Sequence, residues 1–278
     1  MTYRAILVHV RLGEVNMQVE LAANLAKETG AHLTGLCSLE EVALLRNARQ
    51  NPFLRLEPAK VEELIRREYA AAAEAEKRFK AIAKRAGVSH SFVVGEGDAA
   101  DLIIHASRLQ DLAVVEQGGD PSDLLWGPVV QLALSGHPAL IIPRRWPSPE
   151  FGRRALVAWN GSAQSAAAVR KALPLLQRAE EVTVLIGGSR AAFPSIMRLP
   201  PLDVVAYLKH ERVAAKVKKI DVPDDDAGAA ILKRAKSGKC DLIVMGAFGR
   251  SRFREWILGG ATRHVLENMT VPVFMAHQ

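Results

Sequence analysis

The sequence predicts an α/β protein built from two tandem, doubly wound parallel-sheet domains. Short apolar runs alternate with helical stretches along the whole chain. Runs such as Leu242-Ile243-Val244-Met245 and Ala139-Leu140-Ile141-Ile142 are apolar on consecutive residues, as strands covered on both faces require. The pattern also occurs twice, which makes it a repeat of one unit rather than one large sheet.

The elements pair off in order. RAILVHVR (Arg4–Arg11) and RRALVAWN (Arg153–Asn160) are the first strands. Each leads into an alanine-rich helical stretch, NMQVELAANLAKETG or SAQSAAAVRKALPLLQRA. The second strands are AHLTGLC (Ala31–Cys37) and EVTVLIGG (Glu181–Gly188). Later come DLAVVEQGG (Asp111–Gly119) and DLIVMGAFG (Asp241–Gly249), and each half ends on a proline-opened strand, HPALIIP or VPVFMAH. Between the halves, RRWPSPEFGRR (Arg144–Arg154) has linker composition. The domains are therefore read as 1–147 and 148–278. The first half carries an insert, Leu39–Tyr69, that either covers a pocket or packs on the neighbouring domain.

Composition narrows the function. With 49% hydrophobic and 24% charged residues among 278, the chain is globular rather than disordered. No apolar run reaches the roughly 20 residues of a membrane span, and the first residues go straight into a strand without a signal region, so a cytoplasmic, membrane-free protein is expected. Cys37 and Cys240 match no metal or redox spacing and read as buried reduced thiols. The net charge of +7 falls largely on helices where acids and bases alternate, as with Glu76 and Lys80 in Lys60–Gly87. That is a solvated helix face, and no nucleic-acid-binding motif accompanies it.

Chemistry concentrates in DLIVMGAFGRSRFREWILGGATRHV (Asp241–Val265). Gly246 and Gly249 follow a strand, Arg250, Arg252 and Arg254 lie in the loop, and Gly259-Gly260 opens a helix. The plain reading is a tight turn on a basic surface. The other is an anion cradle, in which side-chain-free positions let backbone N–H groups approach a phosphate and the helix start adds its unpaired donors. Thr262 supplies a hydroxyl. There is no G-x4-G-K-[ST] loop and no dinucleotide fingerprint. In an open parallel sheet, the end of the first strand (Ala158 to Ser162), the end of the second (around Gly187) and this loop converge at one crevice.

This motif, G-x2-G-x9-G-G at Gly246, Gly249, Gly259 and Gly260, resembles the signature of the universal stress protein family, G-x2-G-x9-G-[ST]. The resemblance implies the adenine nucleotide α-hydrolase-like fold in both halves and binding of ATP or another adenine nucleotide, with Mg as an accompanying ion, in the second. It places Asn160 and Gly187 near the base and Gly246, Gly249, Gly259 and Gly260 at phosphates and ribose, with Ala158, Met245, Phe248, Ala261 and Thr262 as further nucleotide-binding residues. Asn160 stands where the family commonly has Asp, and Gly260 where Ser or Thr is usual. The resemblance also implies pairing of the two last strands as an internal pseudo-dimer, a further homodimer, and protein partners in stress signalling.

The first half lacks the motif. Its segment from Asp111 to Pro138 is shorter, Glu116 or Gln117 takes the place of Gly246, and Arg11 that of Asn160. It reads as a degenerate copy kept for folding and pairing. No nucleophile–base set accompanies Ser162 or Ser251, so no dedicated catalysis is expected. His9, His137, His264 and His277 read as surface or cap residues. The acidic run Asp221–Gly228 either holds a cation or caps the next helix, and Trp126 and Trp256 read as packing residues. The alternative function is a nucleotide-free tandem scaffold acting through dimerisation.

Overall fold

The computed structural model describes residues 2–13, 17–49, 57–118, 131–132, 135–187, 202–220, 227–247 and 260–277. The chain divides into two units. Tyr3–Glu116 with Pro147–Pro149 form the N-terminal unit, and Gln117–Trp146 with Glu150–Gln278 and the first two residues form the C-terminal unit.

In the N-terminal unit, β1 (Ala5–His9), α1 (Met17–Thr29), β2 (His32–Leu39), α2 (Glu40–Arg49), α3 (Pro58–Ala86), β3 (His90–Glu96), α4 (Ala99–Ser107) and β4 (Leu112–Glu116) follow one another. The strands lie in the order β3-β2-β1-β4, all parallel. Helix α3 shows why its sequence is helical and where it packs. Ala72, Ala75, Phe79 and Ala83 recur at three- and four-residue intervals and are all buried, forming one apolar stripe, while Lys80 and Glu76 pair on the wet side at 2.6 Å. Described residues of the insert pack against β2. Val42 of α2 and Ala72 of α3 close over Cys37 and Leu39 of β2, with Leu12, Ile65 and Phe92 alongside.

The C-terminal unit contains β5 (Ala139–Ile142), β6 (Arg154–Trp159), α5 (Ala163–Lys171), α6 (Leu173–Leu176), β7 (Glu181–Ile186), α7 (Val204–His210), β8 (Ala215–Lys219), α8 (Ala227–Ser237), β9 (Leu242–Gly246), α9 (Gly260–Asn268) and β10 (Val273–Ala276). Its order is β5-β10-β9-β6-β7-β8. All neighbours are parallel except β5 and β10, which run antiparallel with Phe274 opposite Leu140. Every residue of β5 and β10 is buried, so the two proline-opened runs cover each other's edges, as their apolar composition requires. The outer strand β8 instead presents Lys216, Lys218 and Lys219 to solvent, a charge pattern that discourages further strand pairing.

The repeat is visible in a single device. Asp111 Oδ2 accepts from the backbone N–H of Arg4 (2.7 Å) and Ala5 (3.0 Å). The Asp241 carboxylate does the same for Arg153 (3.1 Å) and Arg154 (2.7 Å). In each half the residue before the fourth strand thus fixes the start of the first strand and sets the register between them. Both free thiols, Cys37 and Cys240, are buried, and burial pushes Cys37 up to about 11, which keeps it a thiol.

Removing the clamp is testable. Asp241→Ala should cost about 1–2 kcal/mol of stability through two lost charge-assisted hydrogen bonds, read as a lower urea midpoint with an unchanged m-value.

Candidate functional site

Strand order reverses at β6. The chain leaves β6 through α5 to β7 on one side, and returns through α8 to β9 on the other. Outside the carboxyl ends of such a pair lies the ligand crevice of open α/β sheets.

Sequence builds this crevice locally. After β6 the chain turns at Asn160-Gly161, and Asn160 Oδ1 accepts from the Ser162 N–H at 3.1 Å. Ser162 then caps α5, its Oγ accepting from the Ser165 N–H at 3.1 Å, the standard device for an unpaired donor at a helix start. Gly246, the last residue of β9, lies against that first turn. A Cβ at Gly246 would sit 2.6 Å from Gln164 C and Ser165 N, so only glycine permits the approach. Gly187 joins from β7, donating its N–H to Trp159 O at 3.1 Å. Ala158 and Met245 lie one residue beyond the paired Val157 and Val244.

Ala158, Asn160, Gly187, Met245 and Gly246 are thus brought together at the carboxyl ends of β6, β7 and β9. Gly260, Ala261 and Thr262 form the first turn of α9. Gly228 of α8 meets this turn closely, a Cβ there lying 3.0 Å from Ala261 O. Gly260 is exposed, and among the described residues nothing lies within 4 Å of a Cβ placed on it, whereas Thr262 is buried. Phe248, Gly249 and Gly259 lie outside the described residues, as do Arg250, Ser251, Arg252, Arg254, Trp126, Trp256 and Asp221 to Asp226.

The N-terminal unit shows what the same scaffold does with other residues. Ile6 pairs with Leu112 as Ala155 pairs with Leu242, so Arg11 falls at the place of Asn160, His9 at that of Ala158 and Glu116 at that of Gly246. Arg11 Nη1 and Glu116 Oε2 form an ion pair at 2.5 Å, joining the two positions that the other unit leaves to small or neutral groups. Beneath it, His9 Nε2 bonds Ser38 Oγ at 3.0 Å. Burial pushes the His9 imidazole down to about 4, and the Arg11 guanidinium adds to the effect. His9 is therefore a neutral interior group and not the surface or cap residue that sequence reasoning expects. The pairing of Arg11 with Glu116 also escaped that reasoning, although opposite charges at the two ends of adjacent strands were its signal.

The family model described as the universal stress protein family matches residues 152–277. This segment belongs to that family. A universal stress protein from Archaeoglobus fulgidus DSM 4304 is 17% identical, with 98% of this chain and 96% of that chain covered and a TM-score of 0.73. A functionally unknown protein from Pseudomonas aeruginosa PAO1 is 13% identical over 98% of this chain and 92% of its own, with a TM-score of 0.59. Both likenesses speak to the fold, and they run through both halves of the chain. No curated protein matches it. Among the described residues no helix is long and apolar enough to cross a membrane.

Two predictions follow from the geometry of the universal stress protein domain and its N-terminal counterpart. Gly246→Ala forces a Cβ into the α5 backbone and should destabilise by about 1–3 kcal/mol, while Gly260→Ser, which meets no described neighbour within 4 Å, should stay within about 0.5 kcal/mol of wild type; thermal or urea unfolding distinguishes them. His9 binds a proton in the unfolded chain near pH 6.5 but in the folded one only near 4. The unfolded state therefore holds more protons in that window, and stability is lost as pH falls through it, by up to about 3 kcal/mol. His9→Gln should flatten the slope of unfolding free energy between pH 6.5 and 4.

Proposed function

We propose that the universal stress protein domain of this chain binds an adenine nucleotide, ATP in the first instance, and acts as a nucleotide-responsive stress or signalling module rather than a dedicated enzyme. The observation that carries this reading is the contrast at the strand-order switch. In the C-terminal unit, Gly246, Asn160 and the capped start of α5 leave neutral donors and small groups at the crevice. In the N-terminal unit, Arg11 and Glu116 fill the same two positions with an ion pair. An anion held by backbone N–H groups and a helix start needs no lysine. The motif Gly246, Gly249, Gly259 and Gly260 extends that donor set along the chain. Base and ribose are assigned to the side of Ala158, Asn160 and Gly187, and the phosphates to Gly246 through Thr262. Mg2+ enters with the nucleotide's phosphates, because among the described residues no group of three or more His, Cys, Asp or Glu side chains gathers to hold a metal. Cytoplasmic residence, a homodimer and protein partners belong to the same proposal. They are what a soluble module that reports nucleotide level through its surface would need.

Calorimetric titration of the full chain with ATP, alongside chromatography of small molecules released on denaturation, tests it. Saturable binding by wild type and its loss in a folded Gly249→Val protein are expected. No released nucleotide and no binding at millimolar ATP would favour the nucleotide-free scaffold instead.

A further inference from the structure

We infer that β3 is a dimerisation edge, along which a second copy of this chain lays its own β3 antiparallel and continues the sheet of the N-terminal unit. The inference stands apart from nucleotide binding and gives a surface to the homodimer named above. β3 pairs with β2 and is the outermost strand of its unit. The Leu33 N–H donates to Ser89 O at 2.9 Å, while Leu33 itself is in register with His90. In a parallel pair this turns the backbone groups of the odd-numbered β3 residues toward β2. Those of His90, Phe92, Val94 and Glu96 therefore point outward, and among the described residues no other strand pairs with them.

Folded proteins blunt such edges with lysines, prolines or bulges. β8 does so with Lys216, Lys218 and Lys219. β3 does not: HSFVVGE holds no lysine, arginine or proline, and its register with β2 runs unbroken over seven residues. Val93 and Val94 lie on opposite faces and are 43% and 42% exposed, so apolar surface is open on both sides of the same edge. The strand is also its own complement. A two-fold axis at Val93 sets that residue against its copy, Phe92 against Val94 twice, Ser91 against Gly95, and His90 against Glu96 of the second copy. The outward backbone groups then meet in the pairs that exchange both hydrogen bonds, and Val93 falls in a non-hydrogen-bonded pair, where side chains come closest. Aromatic and β-branched residues facing each other in this way are favourable cross-strand pairs. Glu96, the one acidic residue of the strand, is held by Arg46 at 2.6 Å and meets no like charge. This self-complementarity selects a second copy over a foreign strand.

Sedimentation of the full chain over a range of concentrations tests the edge, and wild type should show a monomer–dimer equilibrium. Val93→Lys sets like charges face to face at the axis and should weaken the dimer about tenfold or more. Val93→Cys should cross-link two chains on mild oxidation, because Cα atoms of such a pair stand about 4.5 Å apart, within reach of a disulfide. Val217→Cys on β8, 40% exposed before substitution, should not; the native Cys37 and Cys240 are buried. A wild type that stays monomeric throughout overturns the inference. So does a dimer that V93K leaves intact, or cross-linking of V93C no greater than that of V217C. ATP titration of V93K should match wild type, so the fate of this edge and that of the nucleotide reading are decided separately.

Discussion

The backbone of Gly246 rests on the first turn of α5, with 2.6 Å between its absent Cβ and the Gln164–Ser165 peptide. The C-terminal crevice depends on this approach. It draws the end of β9 to the start of the helix that follows β6, so two strands distant in sequence and one capped helix start share a corner. Asp241 holds the opposite end of the same strand pair through the N–H groups of Arg153 and Arg154. With β6 and β9 pinned at both ends, the residues beyond them have few places to go. A ligand site made of backbone groups needs such rigidity, because its donors cannot be steered by side-chain rotation.

The two halves test what that frame tolerates. Asp111 clamps β1 as Asp241 clamps β6, and the strand register is the same. Beyond the strands the chemistry diverges. Glu116 stands where Gly246 would be, and a carboxylate there faces Arg11 instead of a phosphate. Half of the Arg11 side chain is solvent-exposed, so the pair adds little stability, on the order of 1 kcal/mol or less. Its effect is occupation: both positions are used up by each other. His9 beneath it remains neutral, since burial disfavours its charged form and the neighbouring Arg11 guanidinium adds to that.

Much of this was legible in the sequence. Continuous apolar runs give strands buried on both faces, the doubling of the pattern gives the repeat, and the proline-opened HPALIIP and VPVFMAH gave two apolar edges in search of a partner. What escaped reading were the relations that need a third dimension. Gly246 looked like room made for an anion, yet the neighbour that demands the missing side chain is the α5 backbone. No sequence says which of two close approaches a glycine serves. Thr262 reads as a hydroxyl donor, and only the fold shows that it lies on the buried face of α9 with Val265 and Leu266. His9 sits in an apolar run, and only the fold shows that Ser38 supplies its partner.

The neutral character of the crevice bears on what a bound nucleotide would do there. A lysine or metal-holding carboxylate set stabilises charge as it develops during phosphoryl transfer, which is where catalytic power lies. Backbone donors and a helix start favour the bound anion as it is, without singling out a transition state. The described residues of this corner, Asn160, Ser162, Gly187 and Gly246, include no general base. Ser162 is committed to the α5 cap and Asn160 Oδ1 to the turn. On the proposed reading, free energy of binding goes into ordering the protein around the nucleotide, a property that a module reporting occupancy to a partner would use.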